Sequence, residues 1–414
     1  MSGAGDRVSG VALEAAPPRT RRLLDVAVAS NFLAIGIMLA AVPRLVREEL
    51  GASPTAVGTA TTIFFAAALL TRPVVGRLMD RIGRRRFLIW PLVVMTALTL
   101  SMTVAGSVWA VIAIRSLQGA FGGSFYTAAA VVATDLAPAH QRASAVARLS
   151  LMIYLGFAFG PFIGEFLFDR SSAWPFIVAS ALHVVALAVS TRVPETLRER
   201  EPSAEVRPSL RQLRRAVLRP GLAQLCAGVG FSSVVAFLPS YSRQIGVGSS
   251  GPLFFTYACS ALVVRLFSGR MADRFGYVAV AAPGLAVFGS GMALMAVAWE
   301  PWVPFAGIVL VGIGFGALFP ALTALAVARA PDDQRGAALG VFLSFNDFGN
   351  AVAGPLAGAI ADAAGFRWGY AMPAIIAAVG LSIAVTLRSP PVSAPTPQPI
   401  AASTEARPAA TEIA

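Results

Sequence analysis

The chain is 414 residues long, 56% hydrophobic and only 13% charged, with a formal net charge of +12 and a mean hydropathy of +0.71. A soluble domain carries roughly 25% charged residues, so the composition excludes an ordinary soluble protein and marks a polytopic membrane chain. There is no lysine, and the arginines sit in short segments between apolar runs, a pattern of membrane topology rather than of nucleic-acid binding.

A helix that crosses a bilayer needs roughly 20 predominantly apolar residues. In chain order, twelve such runs are predicted, near 24–43, 54–76, 87–107, 108–134, 143–168, 174–193, 218–239, 250–271, 277–299, 301–328, 336–361 and 367–388. They are continuous and lack period-two alternation, so they read as helices and not as barrel strands. Residues 1–23 are polar and arginine-bearing, and the first run is long enough to span, so the start does not read as a cleavable signal.

Arginines sort by side. Arg19, Arg21 and Arg22 precede the first run, Arg77, Arg81, Arg84, Arg85 and Arg86 follow the second, and Arg142 follows the fourth, while the alternate connections are poorer. With the arginine-rich side inside, both termini are cytoplasmic and the chain is multi-pass in the cytoplasmic (inner) membrane. The expected organisation is a cytoplasmic N-terminal segment (1–23), a six-helix half (24–193), a cytoplasmic linker (194–217), a second six-helix half (218–388) and a disordered tail (389–414) rich in Pro, Ala, Ser and Thr. The linker mixes arginine and glutamate and reads partly as an amphipathic surface helix. Cys226 and Cys259 both fall in apolar runs and lack the spacing of a disulfide or metal site.

A twelve-residue pattern occurs twice, 193 residues apart. Arg72 to Gly83 reads RPVVGRLMDRIG and Arg265 to Gly276 reads RLFSGRMADRFG, identical at six positions. Gly119, Gly123, Pro138, Gln141 and Arg142 recur at the same offset as Gly312, Gly316, Pro331, Gln334 and Arg335. Self-similarity at nearly half the length means two copies of one module, and two facing sets of apolar helices are a transporter architecture.

These residues carry a family resemblance. The stretch from Gly76 through Asp80, Arg81 and Gly83 to Arg84 and Arg85 resembles the signature of the major facilitator superfamily between its second and third spans, and Gly269 to Gly276 resembles its weaker echo. Pro194-Glu195-Thr196 resembles a further element of the superfamily. Arg115-Ser-Leu-Gln118-Gly119 in the fourth run, and Gly156, Gly160, Pro161 and Gly164 in the fifth, resemble motifs of its drug:proton antiporter branch, with Glu165 where that branch carries another glycine. The resemblance implies an all-α membrane protein of twelve transmembrane helices in two pseudo-symmetric six-helix halves. It also implies a small-molecule substrate, protons drawn from the proton gradient with no cofactor, and a monomer in the lipid bilayer.

The resemblance further implies a latch at the cytoplasmic end. Gly76 and Gly83 allow a tight turn. Asp80, beside Arg81 and Arg84, would pair with Arg142 and face the start of the eleventh helix near Gly336, with Asp273 and Arg335 forming the related contact. The competing reading is that these charges only enforce topology. Gly354-Pro355-x-x-Gly358 echoes the fifth-run glycines with a one-residue slip, which fits a tight helix seam.

Scaffold residues recur in a repeat and site residues need not, so residues without a twin are the candidates for the proton-coupling and substrate cavity. Arg115 maps onto Ile308; it is permanently charged, and either tunes a carboxylate, holds an anionic group, or forms a structural ion pair. Glu165 is a proton-carrier candidate, or else an exposed residue near the outer end of its helix. Asp347, beside Asn346 and Asn350 and mapped near Ile153, faces the cavity or a polar seam. Gln118, Asn31 and, with less weight, Gln224, Ser232 and Ser233 complete the polar set. His183 is a titratable or a packing residue. Phe32, Tyr126, Tyr154 and Tyr257 are candidates for an apolar wall, whereas Arg72 and Arg265 recur and read as snorkelling or latch-capping.

The reading that follows is a secondary transporter that exports a small drug or metabolite against inward proton flow. The alternative is proton-coupled uptake of a sugar or organic acid. A membrane enzyme or sensor is remote: the two histidines, His140 and His183, have no metal-ligand spacing, and no phosphate-binding loop is present.

Overall fold

The computed structural model describes residues 18–138, 142–197, 210–331 and 334–387. The predicted tail lies outside the described residues. Twelve helices follow in order: α1 Pro18–Arg44, α2 Pro54–Ile82, α3 Arg84–Ser101, α4 Val108–Asp135, α5 Arg142–Phe168, α6 Trp174–Ser190, α7 Leu210–Gln244, α8 Gly251–Phe275, α9 Tyr277–Ala296, α10 Val303–Ala328, α11 Arg335–Ala364 and α12 Phe366–Val385. Successive helices reverse direction, so α1 begins and α12 ends at one end of the bundle, here the terminal end; the other is the distal end.

Nine of these helices are long and apolar enough to cross a membrane. The exceptions are informative. α6 is 17 residues long, and α4 and α11 are diluted by buried polar side chains: Arg115 and Gln118 on α4, Asp347 and Asn350 on α11. Polar groups at membrane depth are costly and mark function.

Local chemistry sets the boundaries. Ser53 caps α2 by accepting from the Ala56 N–H at 3.3 Å, with Pro54 at the first helical position. Gly83, Gly276 and Gly365 have φ of 104°, 90° and 90°, a left-handed region open to glycine, and each turns one helix directly into the next. α7 starts at Leu210, eight residues before the expected span and inside the expected linker. The reason is amphipathic spacing: Leu213, Ala216 and Val217 are buried while Arg211, Arg214 and Arg215 are exposed, so the helix continues past the membrane on a packed face.

The repeat maps contacts onto contacts. Gly119 packs against Phe64 and Gly312 against Tyr257; Gly123 meets Ala68 and Gly316 meets Ala261; Gly156 meets Phe32 and Gly349 meets Leu225. Every member of each pair is offset by 193 residues. The two halves are therefore pseudo-symmetric copies, held by seams of small residues in which backbones touch.

One apolar core of buried residues runs from the second half into the distal parts of α1, α2, α4, α5 and α6. The terminal part of the first half packs as a separate cluster, around Leu24, Leu88, Phe125 and Leu149. The halves are thus fused at the distal end and divided toward the terminal end, where Gly76, Gly269 and Gly340 have, among the described residues, no atom close enough for an added Cβ to touch.

At the terminal end the signature segment is tied down within its own half. The Glu195 carboxylate accepts from the N–H groups of Arg84 and Arg85 at 2.9 and 3.1 Å, capping the start of α3, and from Thr196 and Leu197 at 2.9 and 2.8 Å. Burial alone would raise its pKa, but these four donors outweigh it and hold the carboxyl below the usual glutamate range. A Cβ at Gly83 would lie 2.6 Å from this carboxylate, so glycine is needed there for space as well as for φ. Arg84 pairs with Asp135 at the end of α4, which also accepts from Thr196 at 2.9 Å. Arg84 is therefore a staple among α3, α4 and the segment after α6. Arg81 and Arg335 are exposed. The side chains of Asp80, Arg142 and Asp273, on which the expected latch depends, lie outside the described residues.

Candidate functional site

A cavity with an empty volume of about 1340 Å³, its open mouth included, lies between the two halves near mid-membrane. Its polar wall is built from α11. Asn346 and Asn350 are four residues apart and so share a helix face. Gln224 and Ser232 on α7 donate to their side-chain oxygens at 2.9 and 3.0 Å. Those bonds fix the rotation of α11 and present Asp347 across the cavity to Arg72 of α2, at 2.7 Å. The pair joins one half to the other.

The same contact is made a second time. Arg265 of α8 is the repeat twin of Arg72, and Asp347 less 193 is Tyr154 of α5. Arg265 lies over the Tyr154 ring, 3.4 Å from its centroid, again joining one half to the other. Aromatic rings complete the wall: Phe231 stacks on Phe315 at 5.1 Å and approaches Phe157 at 6.4 Å, while Phe32 meets Tyr126 and Phe157 edge-on.

The distal end is sealed above this cavity. Gly58 of α2 and Gly354 of α11 touch backbone to backbone, Thr62 donates to the Ala351 carbonyl at 3.1 Å, and Thr55 donates to Asp362. Beside them lies a charge cluster. Arg44 contacts Glu48 at 3.0 Å, Glu165 at 3.0 Å and Asp169 at 2.6 Å, all within the first half. From the second half, Arg243 reaches Glu48 at 2.5 Å and Glu165 at 3.6 Å, and Ser250 donates to Glu165.

The predicted site residues divide accordingly. Asp347, Asn346 and Asn350 line the cavity. Glu165 does not: it is 1% exposed and buried in the distal cluster, because α5 has risen to the end of the bundle by that residue. Arg115 and Gln118 also sit outside the lining. Arg115 donates to Gln118 at 3.1 Å and to the Thr61 carbonyl at 3.3 Å, and lies 4.8 Å over Phe64, which itself faces the cavity. Gln118 donates to Thr99 at 3.0 Å. They brace α4 against α2 and α3 behind the wall. Asn31 and His183 are fully buried, away from the lining, with no hydrogen-bond partner on their side-chain polar atoms among the described residues.

The antiporter-like glycines 156, 160 and 164 press onto α1 at Phe32, Gly36 and Ile37. Their apparent echo is a different seam. Gly354 and Gly358 press onto α2 of the opposite half, since a one-residue slip turns the face by about 100°. Arg72 and Arg265, expected to snorkel or to cap the latch, instead line the cavity. Their signal was present in the sequence, in the unslipped 193-residue offset that pairs Asp347 with Tyr154.

A pseudo-twofold bundle of apolar helices with a central cavity sealed at one end has the architecture of a membrane transporter. A profile of the Major Facilitator Superfamily matches residues 24–255 and 222–412. The chain belongs to that superfamily and is a secondary transporter. An uncharacterised MFS-type transporter of Salmonella typhimurium is 28% identical over 362 residues, covering 85% of this chain and 92% of that one. Among solved structures, the nucleoside transporter NupG superposes with a TM-score of 0.74 at 11% identity, covering 89% of this chain and 99% of that one. A POT family transporter in complex with a thioalcohol-conjugated peptide gives 0.76 at 12%, covering 89% and 95%. Those two likenesses are of fold alone.

Proposed function

We propose that the protein exports a small organic molecule in exchange for protons, by alternating access. The observation that carries this reading is the Arg72–Asp347 ion pair, which lines the cavity and spans the two halves. Asp347 is the one carboxylate among the described lining residues. The arginine-rich segments put the terminal end in the cytoplasm, so the divided terminal end is the inward mouth and the distal seam faces outward.

The cycle follows from linkage between protonation and shape. With Asp347 ionised, its attraction to Arg72 holds α2 against α11. When the halves rock to expose the cavity outward, the carboxyl meets the more acidic side and takes a proton, which removes the attraction and lets substrate leave. On return the proton is released inward and the pair re-forms. Glu165, the other carboxylate considered for this role, belongs to the distal clamp and senses whether that end is shut.

The test uses purified protein in liposomes containing a pH-sensitive dye, with an imposed pH gradient and compounds added singly. Proton movement opposite to substrate, lost in Asp347→Asn, is expected. Movement in the same direction would replace export by coupled uptake, and undiminished proton flux in Asp347→Asn would remove Asp347 from the coupling path.

A further inference from the structure

Among the described lining residues, the cavity has two arginines that the repeat makes equivalent and one counter-charge. Arg72 is matched by Asp347 at 2.7 Å. Arg265 meets Tyr154 at the equivalent position, 3.4 Å from the ring centroid. A phenol offers a π face and a hydroxyl but no formal charge. Nη1 of each arginine is enclosed and has no hydrogen-bond partner among the described residues, so what separates the two is the carboxylate that Arg72 meets and Arg265 does not. The lining therefore carries two positive charges and one negative one, a surplus of +1 located on Arg265.

That surplus matters for transport. An unmatched guanidinium is tolerable while water fills an open cavity. It becomes costly when the halves close over it mid-membrane, because hydration is lost and no protein anion replaces it. On the substrate-carrying leg, a cargo that supplies the missing charge lowers that cost. The rings of Phe157, Phe231, Phe315 and Phe319 supply no polar group, so the part of the cargo that lies among them is apolar.

We infer that the substrate is a monoanionic organic acid with an apolar, aromatic body, whose carboxylate pairs with Arg265 while the body lies among these rings. The planar fork of arginine accepts a carboxylate through two parallel hydrogen bonds. The inference rests on reading this cavity as the substrate site.

The experiment is equilibrium binding to the purified full chain in nanodiscs at neutral pH, using three probes of one shape: 2-naphthoate, 2-naphthamide and 2-naphthylmethylammonium. The anion is expected to bind at least tenfold more tightly than the amide, and the ammonium more weakly still. Arg265→Gln is expected to bring the anion-to-amide ratio below twofold. Tyr154→Asp, which builds a second internal pair on the pattern of Arg72 and Asp347, is expected to do the same with Arg265 intact. Arg265→Lys is expected to keep a reduced preference, and thermal unfolding of each variant reports that it is folded. Equal or reversed preference, a preference surviving in folded Arg265→Gln, or binding of none of the three overturns the assignment. Because binding is read without a gradient, such a result leaves the transport reading intact. Failure of proton exchange in liposomes would in turn leave the charge preference intact.

Discussion

Alanine at Gly58 is expected to open the distal end. A Cβ at that position would lie 2.0 Å from the Gly354 carbonyl oxygen, and one at Gly354 would lie 2.1 Å from that of Gly58. Both neighbours are backbone, so no rotamer change relieves the clash and α2 must draw away from α11. Overpacking of a tight interior costs about 1–3 kcal/mol. These helices belong to different halves, so the penalty falls only on the state in which the distal end is shut. Since about 1.4 kcal/mol is a factor of ten in an equilibrium, the ratio of distal-closed to distal-open protein should fall roughly ten- to hundredfold. A cavity cysteine, Ala158→Cys in a background with Cys226→Ala and Cys259→Ala, should then react faster by that factor with an impermeant maleimide added from the distal side. Gly36→Ala gives the contrasting outcome. Its Cβ would lie 2.3 Å from the Gly156 carbonyl within a single half, so the thermal midpoint should fall with little change in labelling. Unchanged labelling in folded Gly58→Ala would show that this seam is not the outer closure.

Breaking the mid-membrane ion pair should produce the second large effect. Arg72→Leu leaves a carboxylate, and Asp347→Leu leaves a guanidinium, facing an apolar cavity. Removing one member of a buried pair costs about 3–5 kcal/mol; the low end applies because the side chains of Arg72 and Asp347 remain 19% and 12% exposed. The double variant removes both charges and should recover most of the lost stability. Transport should be absent in all three, because the two variants without Asp347 have nothing left to titrate and Arg72→Leu has no pair to make and break. A thermal-melt series with a transport assay on each variant separates the two properties. If the double variant is destabilised by the sum of the single ones, the two side chains act independently.

The fold was legible because its cause is distributed along the whole chain. Apolar length gave the helices, and a 193-residue offset gave the halves. The cavity was only partly legible. Asp347 stood out as a charge at depth without a twin. Arg72 and Arg265 were passed over because recurrence reads as scaffold. In a pseudo-symmetric bundle, however, a recurring residue on the inner face of a half lines the cavity twice, and what differs is its partner: Asp347 in one case, Tyr154 in the other. Glu165 was misplaced for a related reason. Sequence gives its depth along α5 but not the arrival of Arg44 and Arg243 from other helices. The glycine echo on α11 misled because one residue of slip changes which helix a face meets.

Central to this account is that the halves rock about the cavity, the distal end opening as the terminal end closes. Pulsed electron–electron distance measurements on spin labels placed at both ends test it most directly. Suitable exposed positions are Glu49 and Gln244 at the distal end and Arg86 and Arg274 at the terminal end. In lipid nanodiscs, the Asp347→Asn substitution, which mimics the protonated carboxyl, should lengthen the distal distance and shorten the terminal one together. Distances that stay fixed, or that lengthen or shorten at both ends at once, would contradict alternating access through this site.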